Sequence, residues 1–168
     1  MKIAIIGFGN MGQTYASSFV SSGFIKSEDI FVLSRNLTAI SNKYTIPNEN
    51  FFTEISTSFL SVDIVIIAVK PQDFNSLCLQ IKDFISEKHL ILSVMAGISI
   101  ENISNKLQTK KIIRSMPNIS TQIGQGMTVF TASDEVDRKD LFIIQNLINT
   151  TGKSLFIENE EMINAATA

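Results

Sequence analysis

Residues 3–12 read Ile-Ala-Ile-Ile-Gly-Phe-Gly-Asn-Met-Gly, an uncharged apolar run that passes straight into glycines at 7, 9 and 12. A short apolar run without alternation suits a strand buried on both faces of a parallel sheet. The spacing G-x-G-x-x-G gives each glycine a separate task. Gly7 permits the tight turn, Gly9 withholds a Cβ where a pyrophosphate must approach the backbone, and Gly12 lets the next helix pack closely on the strand. That helix is expected from Asn10 to about Ser22, with its free N–H groups and positive dipole end facing the phosphates. A purely structural glycine turn is the alternative, and the placement between an N-terminal strand and a helix favours nucleotide binding.

Outward from this unit, strands and helices alternate. Strands are expected at 29–33, 51–53, 63–69, 89–94, 111–115, 126–131 and 154–157. Between them fall a short helix at 36–44, a loop at 47–50 and a helix ending near Leu60. Further helices are expected at 72–87, 100–107 and 134–148. Residues Phe74, Leu77, Cys78, Ile81, Phe84 and Ile85 fall at helical spacing. Alternating βα units predict an α/β fold, a doubly wound, mainly parallel sheet in a three-layer αβα arrangement of the Rossmann type. Ligands of such sheets bind at the carboxyl ends of the strands. The loops expected to line one crevice are therefore Gly7–Gly12, Ser34-Arg35-Asn36, Lys70-Pro71, Ala96-Gly97 and Met116-Pro117-Asn118.

Composition narrows the class. The chain has 168 residues, 45% of them hydrophobic, enough for one sizeable core. A net charge of −2 gives no electrostatic case for nucleic acid or an anionic membrane as partner. The single cysteine, Cys78, cannot form an internal disulfide, and no Cys/His spacing predicts a metal site. The longest apolar stretches, near 62–69 and 89–100, are too short to span a bilayer, and the N-terminus enters a core strand directly. A cytoplasmic protein acting on a small-molecule substrate is the expectation.

The second strand ends Leu33-Ser34-Arg35-Asn36, without the acid that would accept hydrogen bonds from a ribose 2′-hydroxyl. A hydroxyl, a guanidinium and an amide suit a 2′-phosphate instead, which predicts NADP(H) in preference to NAD(H). The plainer reading leaves Arg35 solvated and makes Ser34 or Asn36 a helix cap.

Taken together, the loops resemble pyrroline-5-carboxylate reductase. The matching segments are G-F-G-N-M-G at 7–12, A-V-K-P-Q at 68–72, S-V-M-A-G-I at 93–98, R-S-M-P-N at 114–118, G-Q-G-M-T at 124–128 and E-E-M-I-N-A-A-T-A at 160–168. The resemblance implies NADPH-dependent reduction of the C=N bond of Δ1-pyrroline-5-carboxylate to L-proline. It places Gly7, Phe8, Gly9, Asn10, Met11 and Gly12 at the pyrophosphate, and Ser34, Arg35 and Asn36 at the adenosine ribose and its 2′-phosphate. Ala68, Val69, Lys70 and Pro71 pass beside the adenine and ribose. Ala96 and Gly97 approach the nicotinamide ribose, while Met116, Pro117 and Asn118 lie near the nicotinamide and Glu160 near the substrate. No residue of the chain is assigned a catalytic role.

Several of these residues have plainer readings. Pro71 suits the end of a strand and the first turn of a helix. Met95 and Met116 suit core packing, and Arg114 suits an ion pair with an acid. His89 suits a capping or solvated role, Asp63 loop hydrogen bonds at the far end of the sheet, and Glu160 a solvated helix start. The chain departs from the family at Ile119-Ser120, where Thr-Pro is usual, and at Asn164, where Asp is usual. The resemblance further implies a nucleotide-binding domain over 1–158 and, from 159 to 168, the start of a helix leading into a helical domain that would form a homodimer or higher oligomer. Two other readings remain: another NADP-linked oxidoreductase of the same fold, such as a deazaflavin-dependent one, and a non-catalytic or regulatory nucleotide-binding paralogue.

Overall fold

Strand β1 (Ile3–Ile6) is buried at all four positions and pairs in parallel with a neighbour on each side, so it lies inside the sheet. The computed structural model describes residues 1–37 and 46–165. Beside β1 run β2 (Ile30–Leu33) and β4 (Ile64–Ile67), and β3 (Phe51–Phe52) extends β2 outward. On the other side β4 is followed by β5 (Leu90–Ser93), β6 (Ile112–Pro117), β7 (Gly126–Ala132) and β8 (Gly152–Phe156). The described strands form one sheet in the order β3-β2-β1-β4-β5-β6-β7-β8. All pairings are parallel except β6 with β7, so β7 and β8 run against the rest.

The period-two geometry of a strand divides these apolar runs between two faces. Ile3 and Ile5 of β1 and Ile64 and Ile66 of β4 join Tyr15 and Phe19 of α1 (Asn10–Ser21) and Ile144 and Leu147 of α4 (Arg138–Asn149). Ala4, Ile6, Val65 and Ile67 pack on the opposite face against Phe74, Leu77 and Ile81 of α2 (Phe74–Ile81) and Ile103 and Leu107 of α3 (Ile100–Leu107). The result is three layers, α1/α4, sheet and α2/α3, as the doubly wound reading expects. Each fully buried Ile or Leu contributes about 1.5–3 kcal/mol of transfer free energy. The central strands β1 and β4 alone bury six isoleucines below 3% exposure, which makes them the anchor of the fold. A short helix α5 (Glu161–Ala165) closes the described chain.

Several element boundaries differ from the sequence expectation for local reasons. The expected helix at 36–44 lies almost wholly outside the described residues. The helix expected to end near Leu60 is a 3-10 turn, Thr57–Ser61. The helix expected over 72–87 begins as a 3-10 turn, Pro71–Asp73, and α2 stops at Ile81. There the N–H groups of Phe84 and Ile85 both turn back to the Ile81 carbonyl, at 2.9 and 3.1 Å. The Ser86 N–H then donates to His89 Nδ1 at 2.9 Å, steering the chain into β5. His89 is thus a capping acceptor, and at 1% exposure it is buried rather than solvated; burial, aided by the Lys88 ammonium, pushes its pKa below the usual value. Helix α4 starts four residues later than expected because Asp137 caps it, accepting from the Asp140 N–H at 2.8 Å. Strand β6 continues through Met116 and Pro117 because antiparallel β7 keeps pairing with it as far as Thr128. Asp63 accepts the Lys2 N–H at 2.8 Å at the end of the sheet away from the glycine turn, as expected. Among the described residues no helix is long and apolar enough to cross a membrane, and no group of His, Cys, Asp or Glu is arranged to hold a metal.

Candidate nucleotide-binding site

The connection after β1 leads to β2 on one side, and the chain later returns to β4 on the other, so the direction of winding reverses between β1 and β4. A crevice opens at such a reversal. Gly7 sits at its mouth with φ +94°, and its N–H donates to the Leu33 carbonyl at 2.9 Å. A Cβ on Gly7 would come 2.7 Å from the Ala68 carbonyl oxygen, so both conformation and space exclude other residues there. Gly12 is equally constrained: a Cβ on it would fall on the Gly7 carbonyl oxygen. Gly9 differs from both. It has φ −76°, open to any residue, and a Cβ on it would meet nothing within 4 Å. The protein leaves that space in front of the α1 N-terminus open.

Helix α1 begins at Asn10 without a side-chain cap and without an acid in its first turn. Its first N–H groups have no partner within the helix, so they and the dipole present a field that favours an anion. Gln13 Nε2 donates to the Phe8 carbonyl at 2.8 Å, fixing the turn to the helix it introduces. This cradle fits a pyrophosphate: donors, positive potential and a missing Cβ converge on one open space.

A cavity of about 410 Å³ continues from the turn. It brings together Gly7, Phe8 and Gly9, Ser34, Arg35 and Asn36, and Ala68, Val69 and Lys70 from three of the five expected loops. Arg35 is exposed and its Nη2 donates to Asp73 Oδ2 at 2.9 Å. Ser34 is held by its N–H on the Phe52 carbonyl at 2.9 Å. The sequence reading missed Thr53 and the wall formed by Asp73, Ser76, Leu77 and Gln80. The last four fall at i, i+3, i+4 and i+7, one face of the helical segment that follows β4. That spacing was the available signal.

The remaining expected residues lie at the same end of the sheet but outside this cavity. Asn10, Met11 and Gly12 form the start of α1, and Pro71 opens the turn before α2. Ala96 and Gly97 are exposed in the loop after β5, with Gly97 at φ +72°. Met116 and Pro117 end β6, and Asn118 Oδ1 accepts the Met127 N–H at 3.2 Å.

Glu160 is neither a solvated helix start nor a free carboxylate. Its Oε1 accepts from Arg114 Nη1 at 2.9 Å and from the Ile100 N–H at 2.8 Å. Arg114 is 2% exposed, so this ion pair neutralises a buried guanidinium while the carboxylate caps the first turn of α3 beside Ser99. It also ties the segment before α5 to the loop containing Ala96 and Gly97. Tyr15, fully buried nearby on α1, has its hydroxyl pKa pushed far up by burial, slightly offset by the Ser115 hydroxyl, and stays a neutral phenol.

Residues 2–97 match the family described as NADP oxidoreductase, coenzyme F420-dependent. A pyrroline-5-carboxylate reductase from Aquifex aeolicus is 33% identical across the whole chain, which spans 61% of that protein. A solved pyrroline-5-carboxylate reductase from Coxiella burnetii superposes with a TM-score of 0.86 at 25% identity, over 96% of this chain and 60% of that one. The enzyme of Plasmodium falciparum, solved with NADP bound, gives 0.82 at 23% identity over 96% and 59%. The chain therefore spans about three fifths of the length of the relatives it matches.

Proposed function

The chain belongs to the NADP oxidoreductase family described as coenzyme F420-dependent and is homologous over its whole length to pyrroline-5-carboxylate reductases, and from that premise we propose that it is the nucleotide-binding part of such a reductase. The family match stops at Gly97, whereas the likeness to the reductases runs on through Arg114–Asn118 and the segment from Glu160. The 33% identity held over the full chain supports the imine reductase. The domain would occupy 1–158, with 159–168 leading into a region that completes the substrate site and assembles the subunits. Exposed apolar side chains on β7, β8 and α5 support this: Met127, Leu155 and Met162 are 47, 54 and 57% exposed.

The observation that carries the reading is the open space before Gly9 at the head of α1, continuous with a cavity that holds Arg35. The proposed cofactor is NADP(H), with its pyrophosphate on the N–H groups after Gly9 and its 2′-phosphate near Ser34, Arg35 and Asn36. When bound, the reduced nicotinamide supplies the hydride that the imine carbon accepts. The work left to this chain is placement. Gly7–Gly12 would fix the phosphates along the α1 axis, and Ala96 and Gly97, in the loop after β5, would lie toward the nicotinamide ribose. Met116 and Pro117 end β6 at the same end of the sheet, and Asn118 follows with its Oδ1 accepting the Met127 N–H. A protonated cyclic imine is already electrophilic, so positional constraint suffices without a nucleophile or metal. Glu160, paired with Arg114 and bound to the Ile100 N–H, would hold the segment before α5 near the substrate.

The test is a calorimetric titration with NADPH and NADH. The unaltered chain is expected to bind NADPH more tightly, and Arg35→Ala to weaken NADPH by about 1–3 kcal/mol, the scale of a charge-assisted hydrogen bond. Equal affinities for the two cofactors in the unaltered chain would refute the NADP preference.

A further inference from the structure

We propose that Asp73 is a second specificity-determining residue of the nucleotide site, acting against Arg35; the inference rests on the nucleotide reading above. Its carboxylate lies 2.9 Å from the guanidinium that would meet a 2′-phosphate, and both side chains line the same cavity. Asp73 makes no capping hydrogen bond to α2, although it stands at the cap position, so its carboxylate is directed to Arg35 instead. The second strand lacks the acid that usually accepts a ribose 2′-hydroxyl. Asp73 supplies that acid from another element, the turn Pro71–Asp73 after β4.

The chemistry follows from charge. A 2′-phosphate placed on Arg35 must share the guanidinium with Asp73 and bears the repulsion of its carboxylate. A 2′-hydroxyl meets no repulsion and has in Asp73 an acceptor. Lys70, exposed on the same cavity wall, adds positive charge, but no ion pair within 4.0 Å joins it to Asp73. Asp73 thus narrows the discrimination that Arg35 alone would give, and the site accepts both NADPH and NADH.

Titrations of the full chain with NADPH and with NADH test this in three forms: unaltered, D73N and D73E. D73N keeps the shape and removes the charge, and no helix cap is lost. It is expected to tighten NADPH about fivefold, the scale of one near-surface charge, while NADH is unchanged or weakened. The gain should shrink toward nothing at about 1 M salt, where a charge effect is screened and a packing effect is not. D73E, which keeps the carboxylate, is expected to keep the original cofactor ratio. An unchanged ratio in D73N, or weaker NADPH binding, would overturn the proposal by making Asp73 only a support for Arg35. Failure of the unaltered chain to bind either nucleotide would bring down the nucleotide reading itself, and this inference with it.

Discussion

Gly9→Val is expected to abolish NADPH binding and leave the fold intact, while Gly12→Val is expected to destabilise the fold itself. The two glycines lie three residues apart in one motif, yet the structure gives their missing Cβ atoms opposite surroundings. At Gly9 the backbone has φ −76° and the space a side chain would take is empty of protein. A valine there costs the protein nothing in packing and occupies the position needed by the pyrophosphate. The loss should exceed about 3 kcal/mol, the worth of two or three charge-assisted hydrogen bonds from the α1 N-terminus. At Gly12 the new Cβ falls on the Gly7 carbonyl oxygen, with Ile5 Cγ2 a further 3.3 Å contact. The Gly7 carbonyl in the turn after β1 and the first turn of α1 cannot both yield, so destabilisation of about 3 kcal/mol or more is expected, at or beyond the usual range for overpacking. Thermal melts and fluorescence titration of both variants separate the two effects. Normal NADPH binding by Gly9→Val would show that the phosphate turn has been misplaced.

The chain alone is expected to bind NADPH and form no measurable proline. Hydride transfer requires the donor carbon and the imine carbon to be held in register, and restraining both is worth up to about 7–11 kcal/mol. The cavity at the glycine turn supplies walls for a nucleotide, while the Glu160 carboxylate is already engaged by Arg114 and the Ile100 N–H. A proline-forming assay of the 168-residue chain beside the Aquifex aeolicus reductase checks this. Turnover within tenfold of that enzyme would mean that the active site is complete within this chain.

The legible parts of the molecule were those with local causes. The strand, turn and helix begun at Ile3–Gly12 were legible, because an uninterrupted apolar run and the close approaches that require glycine at 7 and 12 have local causes. The same holds for α3, whose Ser99 cap and Ile103/Leu107 spacing mark it in sequence. The turn after Ile81 was not legible. Phe84 and Ile85 continue the helical period of α2, and only the His89 ring, reaching back to Ser86, shows why the helix ends. The Arg114–Glu160 pair joins residues 46 apart in sequence, and only the fold places a buried guanidinium beside that carboxylate. Asp73 was overlooked for a different reason. The end of β2 carries no acid, whereas Asp73 lies in the turn after β4, and only the fold brings its carboxylate within 2.9 Å of Arg35.

Nucleotide binding at the glycine turn is tested most directly by a nuclear magnetic resonance titration of the backbone amides with NADPH. Saturable shifts are expected at Phe8–Gly12, Ser34–Asn36 and Ala68–Lys70, with the α1 N-terminal amides moving most because phosphate oxygens become their acceptors. Shifts confined to other surfaces, or none at millimolar NADPH, would contradict it.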